Sequence, residues 1–199
     1  MIGVALSQFL WKNHRDMFLF YRRHIGGARG DSYLEIGPGH GLFFMEAVRT
    51  GRFDQYYGLD ISETSLRMTR EFVQHSMGLR NGNVEFILAD ITKTDFEAGY
   101  DFVTMGEVLE HVEQPRELLD SIYRALKPGA KAYLSTCANA PVIDHIYLYN
   151  SVDEIRMDIE ASGLAIADEV VISIDDIPQE DWVRKKANLS YACIAEKRG

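Results

Sequence analysis

The chain has 199 residues, 46% of them hydrophobic and 26% charged, which is the balance of a soluble globular domain rather than a disordered or fibrous chain. Its formal net charge is −9 and its basic clusters, Arg22-Arg23-His24 and Arg184-Lys185-Lys186, are short, so a nucleic-acid partner is disfavoured and a small molecule is expected. Cys137 and Cys193 lack metal-type spacing and read as reduced core thiols; with no signal-peptide pattern and no apolar window of membrane length, a cytoplasmic protein is expected.

Residues from about 5 to 25 read as an amphipathic helix with Phe9, Leu10, Met17, Phe18, Phe20 and Tyr21 on its apolar side, stopped by Gly26-Gly27. Tyr33-Leu34-Glu35-Ile36 is a short strand that runs directly into Gly37-Pro38-Gly39-His40-Gly41. Leu42 to Arg49 is helical and ends at Gly51, and Tyr56 to Asp60 is a second strand. Ser62 caps a helix running to about Ser76. Asn83 to Ala89 alternates as a third strand and ends at Asp90, and Asp101 to Met105 is a fourth. The next helix has Pro115 in its first turn and ends at Lys127-Pro128-Gly129. Lys131 to Thr136 is a fifth strand, and Val152 to Ser162 a helix ended by Gly163. Two strands, about 164–174 and 189–196, follow with only a loop between them.

This alternation implies an α/β fold with a Rossmann-like parallel sheet, helices on both faces, and an antiparallel strand added at one edge. No repeat, low-complexity run or linker divides the chain, so 1–199 reads as a single domain. Its first element, within residues 1–30, is placed as core packing, a lid or an interface, in a monomer or a homodimer.

The strand-to-glycine-loop junction carries the first chemical signal. Small residues permit a tight turn and a close ligand approach, and the following helix offers free N–H donors. A dinucleotide fingerprint needs Gly-x-Gly-x-x-Gly, but Leu42 stands where its third glycine belongs. Glu35, two residues before Gly37, suits a cationic amino group better than a pyrophosphate. Asp60 ends the second strand, where a carboxylate accepts from both ribose hydroxyls. Asp90 ends the third and is placed to accept from an adenine amino group, with Ile61 and Ile91 against the adenine faces. Singly, each acid is an ordinary turn or cap residue; together they describe a nucleoside-plus-amino-acid site.

These segments resemble the class I S-adenosylmethionine-dependent methyltransferases over nearly the whole chain. Leu34-Glu35-Ile36-Gly37-Pro38-Gly39-His40-Gly41 is similar to their first motif, Leu59-Asp60 and Ala89-Asp90-Ile91 to the second and third. Glu107-Val108-Leu109-Glu110-His111-Val112 and Leu126-Lys127-Pro128-Gly129 resemble their later segments. The resemblance implies a seven-stranded sheet in order 3-2-1-4-5-7-6 with strand 7 antiparallel. It implies S-adenosyl-L-methionine as cofactor, held by Glu35, Gly37, Pro38, Gly39 and Gly41 of the loop and by Asp60, Ile61, Asp90 and Ile91. Gly106 and Glu107 then line the methionine end.

Methyl transfer from a sulfonium is an in-line displacement that needs alignment and exclusion of water, and a hydroxyl or amine acceptor has also to lose a proton. Glu107, Glu110 and His111 follow the fourth strand, at spacings that share one helical face; His145 follows the fifth. His111, His145 and Glu107 are the catalytic candidates. Glu107, Glu110, His111 and His145 are also similar to the Glu-x-x-Glu-His segment plus distal His of small-RNA 2′-O-methyltransferases. That likeness implies a divalent metal such as Mg2+; the alternative is a metal-free structural role for the segment.

Three segments are placed around the acceptor: the first helix with Trp11, His14, Phe18 and Tyr21; the loop with Asn139, His145, Tyr147 and Tyr149; and Asp175 to Trp182. A compact chain without an RNA-binding appendage favours a small metabolite, with O-methylation ahead of N- or C-methylation. The alternatives are an RNA 2′-O-methyltransferase and a non-catalytic methyltransferase-like binding subunit.

Overall fold

A computed structural model of the chain describes residues 12–77, 82–94, 99–175 and 177–199. In chain order it contains α1 (Lys12–Ile25), β1 (Gly30–Ile36), α2 (Leu42–Thr50), β2 (Phe53–Asp60), α3 (Glu63–Met77), β3 (Val84–Leu88) and β4 (Tyr100–Gly106). There follow α4 (Pro115–Ala125), β5 (Leu126–Ala138), α5 (Val152–Ala161), β6 (Leu164–Ser173), α6 (Trp182–Lys185) and β7 (Leu189–Lys197). The strands form one sheet in the order β3-β2-β1-β4-β5-β7-β6. Pairs from β3 through β5 are parallel, and β7 runs antiparallel to both β5 and β6.

Side chains alternate across a strand, so a sheet covered on both faces needs apolar residues at successive positions. The central strands meet this need with two chemically different faces. Leu34, Leu59, Val103 and Leu134 enter a largely aliphatic core with Leu118, Leu119 and Ile122 of α4 and Ile155 and Ile159 of α5. Their neighbours Tyr33, Tyr56, Phe102 and Tyr133 enter an aromatic core with Phe43 and Phe44 of α2 and Phe20 and Tyr21 of α1. Met17, Phe20, Tyr21 and Ile25 of α1 are buried, so the described part of this helix packs as core. The expected apolar residues Phe9, Leu10 and Trp11 lie outside the described residues.

Local signals explain most boundaries. Ser62 Oγ accepts from Ser65 N at 3.3 Å at the start of α3, and Ser151 caps α5 by accepting from Glu154 N. Pro115 opens α4. Two expectations need correction. The helix expected to end at Lys127-Pro128-Gly129 stops at Ala125, because Leu126 already pairs with Tyr100 and a register shift carries the ladder on to Phe102 and Lys131. The segment between β6 and β7 is more than a loop: it holds the short helix α6, whose Trp182 indole donates to Ile177 O at 2.8 Å.

The sheet reverses its winding at β1, which lies between β2 and β4. In a doubly wound sheet the cleft outside the carboxyl ends of the strands at that reversal is where ligands bind. The glycine loop after β1 and the turn after β4 both open there. The aliphatic core under this cleft is tightly filled, and Leu119 is fully buried in it. Leu119→Ala is expected to cost about 3 kcal/mol of unfolding free energy, read from denaturant melts, with an unchanged denaturant slope.

Candidate active site

β1 ends in Glu35-Ile36, and the chain then turns through Gly37, Gly39 and Gly41, with φ of 65°, 54° and 82°. At Gly37 a side chain is excluded twice over. The backbone is left-handed, and an added Cβ would stand 2.8 Å from Val108 Cγ2, in the turn after β4. The loop is fastened from outside: Gly37 N donates to Leu59 O at 2.8 Å, and Thr69 Oγ1 of α3 donates to Gly39 O at 2.9 Å. His40 Nδ1 accepts from Leu42 N at 3.2 Å, covering one of the free donors at the start of α2.

Two cavities meet at Gly37. One, of about 560 Å³, runs over the ends of β1, β2 and β3 and is walled by Leu59, Asp60, Ile61, Asp90, Ile91 and Val112. The other, of about 520 Å³, lies between the glycine loop and the turns after β4 and β5. It contains Glu35, Pro38, Gly39, Gly106, Glu107, Glu110, His111 and His145 from the expected set, together with His14, His40 and Cys137. His111 lines both cavities.

In the first cavity the acids are already engaged by their own turns. Asp60 Oδ1 accepts from Ser62 N at 2.8 Å and Oδ2 from Ser65 Oγ at 2.5 Å. Asp90 Oδ1 accepts from Thr92 N at 3.0 Å and Thr92 Oγ1 at 2.7 Å. Lys93 ion-pairs with Oδ2 at 2.8 Å. The Lys93 ammonium and the Thr92 hydroxyl hold the Asp90 carboxyl down to about 2. Each carboxylate oxygen has two acceptor sites, so these bonds orient the acids and leave lone pairs for a ligand. Ile61 stands 76% exposed on the cavity wall, whereas Ile91 is buried beneath it.

Glu35 differs in environment. It is buried, and Tyr33, two positions earlier on the same face of β1, donates its hydroxyl to Glu35 Oε2 at 2.6 Å. Burial pushes the carboxyl up to about 8 against the opposing pull of that hydrogen bond.

The turn after β4 corrects the expectation of one helical face. Glu107 lies outside any helix with a left-handed φ of 54°, and Leu109–His111 is a single 3-10 turn. The reversal sends Glu107 back toward β5, where Glu107 N donates to Ser135 O at 3.0 Å and Glu107 Oε1 accepts from Ser135 Oγ at 2.8 Å. Glu110 is buried and its Oε2 accepts from Thr136 Oγ1 at 2.7 Å. Burial first, then the adjacent Glu110, push the Glu107 carboxyl up to about 8.

The two imidazoles stand edge to face with centroids 5.2 Å apart. His111 Nδ1 lies 2.9 Å from Asp144 O, and His145 Nδ1 lies 2.8 Å from Ala140 O. A carbonyl oxygen only accepts, so both Nδ1 atoms carry a proton, and the neutral form of each ring has its lone pair on Nε2.

The four expected metal ligands do not form one set. Among the described residues, the group whose donor atoms lie within 4.8 Å of one another is Glu110, Cys137 and His145. Glu107 Oε1 is turned to Ser135, and neither Glu107 nor His111 belongs to that group. Burial pushes the Cys137 thiol well above its usual range, so it is protonated. One carboxylate, one imidazole and one thiol do not suit Mg2+, which takes oxygen ligands in near-octahedral geometry.

Of the expected substrate wall, His14 lines the second cavity, but Tyr21 and Tyr149 are core residues. Tyr149 donates to Asp158 Oδ2 at 3.1 Å. Asn139 and Trp182 line a separate cavity beside α5 and β7. Sequence reasoning passed over His40, inside the first motif, and Cys137, near the end of β5; neither carries a local pattern that marks it.

Residues 34–134 match the family described as "Methyltransferase domain". The chain is 24% identical to a ubiquinone biosynthesis O-methyltransferase of Acinetobacter baylyi over 98% of its own length and 93% of that protein's. It is 33% identical to the mitochondrial ubiquinone biosynthesis O-methyltransferase of Schizosaccharomyces pombe over 67% of its length, spanning 48% of that relative. The solved N-methyltransferase NodS of Bradyrhizobium japonicum superposes with a TM-score of 0.71 at 14% identity, covering 93% of this chain and 96% of that one. The chain belongs to the methyltransferase-domain family and is a class I S-adenosylmethionine-dependent methyltransferase. No helix among the described residues is long and apolar enough to cross a membrane.

Gly37→Ala is expected to cost about 1–3 kcal/mol of stability from the left-handed backbone and the Val108 clash. It is also expected to weaken S-adenosylhomocysteine binding at least tenfold. Thermal melts and calorimetry check both; a variant with wild-type values in each would contradict the loop geometry.

Proposed function

We propose that this methyltransferase moves the methyl group of S-adenosylmethionine to an oxygen of a small metabolite. The observation that carries the reading is the meeting of two cavities at the Gly37 backbone, one suited to a nucleoside and the other lined by Glu35 and by His111 and His145, whose Nδ1 atoms are held by carbonyls. In this reading Asp60 accepts from the ribose hydroxyls and Ile61 and Ile91 flank the adenine. Asp90 takes the adenine edge with its remaining lone pairs. Gly37, Pro38, Gly39 and Gly41 shape the loop around the cofactor. Glu35 takes the cofactor's ammonium group, and Gly106 and Glu107 line its methionine chain.

The acceptor sits against His111 and His145. As its oxygen attacks the methyl carbon, the carbon–sulfur bond breaks and its electron pair stays on sulfur. The hydroxyl proton passes to an imidazole Nε2, leaving a methyl ether and S-adenosylhomocysteine. A positioned base contributes about 10²–10⁴-fold to such a step. The relatives named as O-methyltransferases support oxygen as the acceptor atom. No step in this reading passes through a metal.

Calorimetry is expected to show binding of S-adenosylhomocysteine and none of NAD. A screen of phenols, alcohols and amines for methyl transfer then identifies the acceptor; turnover of amines alone would overturn the oxygen reading. With the acceptor in hand, His111→Gln or His145→Gln is expected to lower kcat about 10²–10⁴-fold while S-adenosylhomocysteine affinity stays within about threefold. If neither change touches kcat, the base has been misassigned. Activity is expected to persist in excess EDTA, and its loss with recovery on adding a divalent cation would restore the metal to the mechanism.

A further inference from the structure

Behind Glu35, away from the cavity, lies a chain of hydroxyls that the reaction itself does not call for. Tyr33 OH is 2.6 Å from Glu35 Oε2. Tyr21 OH, on α1, is 3.0 Å from Tyr33 OH and 3.1 Å from Phe43 O on α2. Tyr21 and Tyr33 are both fully buried. The chain therefore begins at a carboxyl group on the cofactor cavity and ends at a carbonyl, which can only accept.

This order of groups can be satisfied in two directions. When Glu35 is ionised, Tyr21 donates to Tyr33 and Tyr33 donates to the carboxylate. When Glu35 is neutral, its own O–H donates to Tyr33, Tyr33 donates to Tyr21, and Tyr21 donates to Phe43 O. In either state each member of this chain finds an acceptor for its proton, so neither direction strands a buried donor within it. The terminal carbonyl makes the second direction available by accepting the Tyr21 proton.

We propose that Tyr21 and Tyr33 are positioning residues for the cofactor's ammonium group, forming a hydroxyl chain that reverses direction as Glu35 releases its proton to solvent on cofactor binding. The inference rests on the reading that Glu35 meets that ammonium group. Burial, which pushes the Glu35 carboxyl up to about 8, makes the neutral form the resting state at pH 7. The groups that face this cluster are Tyr21 from α1, Tyr33 from β1, Thr104 from β4 and Tyr133 from β5, with His14, His40, Glu107 and Glu110 on the shared cavity. An arriving cation supplies the charge that the protein withholds.

The test is calorimetry of the full chain with two ligands, S-adenosylhomocysteine and 5′-methylthioadenosine, which lacks the amino-acid end. At pH 7, in buffers of different ionisation heat, S-adenosylhomocysteine is expected to release about one proton on binding, and 5′-methylthioadenosine none. Release is expected to vanish in Glu35→Gln. Tyr33→Phe removes a donor to the ionised carboxylate and raises its pKa further. If that rise is about one unit, S-adenosylhomocysteine binds about tenfold more weakly at pH 7 and about threefold more weakly at pH 8.5. Affinity for 5′-methylthioadenosine is expected to stay unchanged. Tyr21→Phe, one step farther from the cavity, is expected to move the same readouts in the same direction by less.

Proton release that persists in Glu35→Gln overturns the proposal, as does a Tyr33→Phe loss shared equally by both ligands or constant with pH. Should Tyr33→Phe fail to fold, the Glu35→Gln and Tyr21→Phe measurements decide alone. Absence of S-adenosylhomocysteine binding by the unmodified chain overturns the cofactor reading itself. Binding without proton release overturns only the hydroxyl chain.

Discussion

The site is organised around a carboxyl group buried at the carboxyl end of the central strand. Glu35 sits where β1 gives way to the glycine loop, between the aromatic core and the cavity. Its carboxyl is raised from 4.5 to about 8 in the folded chain. Below pH 4.5 the group is neutral in both folded and unfolded chains and its titration leaves stability unchanged. Between pH 4.5 and 8 the unfolded chain ionises while the folded one does not, so stability falls by about 1.4 kcal/mol per pH unit. Above pH 8 both are ionised and the loss is complete. A fold that tolerates this cost at neutral pH keeps an acid ready for a cation, and in the proposed function the cofactor's ammonium group is that cation.

The aromatic face of the sheet makes this arrangement possible. Tyr33 shares the face of β1 that Glu35 occupies, and α1 and α2 close over it with Tyr21 and Phe43. An aliphatic residue at position 33 would pack as well, but would leave the carboxyl with no donor behind it. The opposite face is dominated by leucine, isoleucine, valine and alanine, and its buried tyrosines, Tyr149 and Tyr191, donate to Asp158 and Glu169 rather than to a cavity acid. The difference between the two faces follows from what each supports: one backs a charged site, while the other carries α4 and α5 as packing.

Much of this was legible in the sequence because it rests on local rules. Alternation of strands and helices, Ser62 and Pro115 as start signals, and the glycine spacing each depend on nearest neighbours along the chain, and the structure agrees with them. The acids ending β1, β2 and β3 were legible for the same reason, since strand ends read from periodicity place them at one edge. The turn after β4 was not. Helical spacing suggested that Glu107, Glu110 and His111 share a face, but the left-handed backbone at Glu107 comes from its pairing with Ser135 on β5. That partner lies far along the chain and no local preference announces it. Nor did spacing reveal that the donor atoms of Cys137 would cluster with those of Glu110 and His145.

The sequence by itself determined the order of elements, the class I methyltransferase resemblance and the glycine loop at the end of β1. These are consequences of periodicity, turn chemistry and glycine's access to left-handed backbone. Only the tertiary structure decided which way each polar side chain is held. The Nδ1 protons of His111 and His145, the hydroxyl chain from Phe43 O to Glu35, and the failure of the four acids and imidazoles to close on a metal all depend on contacts between strands and loops remote in sequence. Hydrogen-bond direction is set by whichever partner packing brings within reach, and packing is a property of the whole sheet and its helices rather than of any segment read alone.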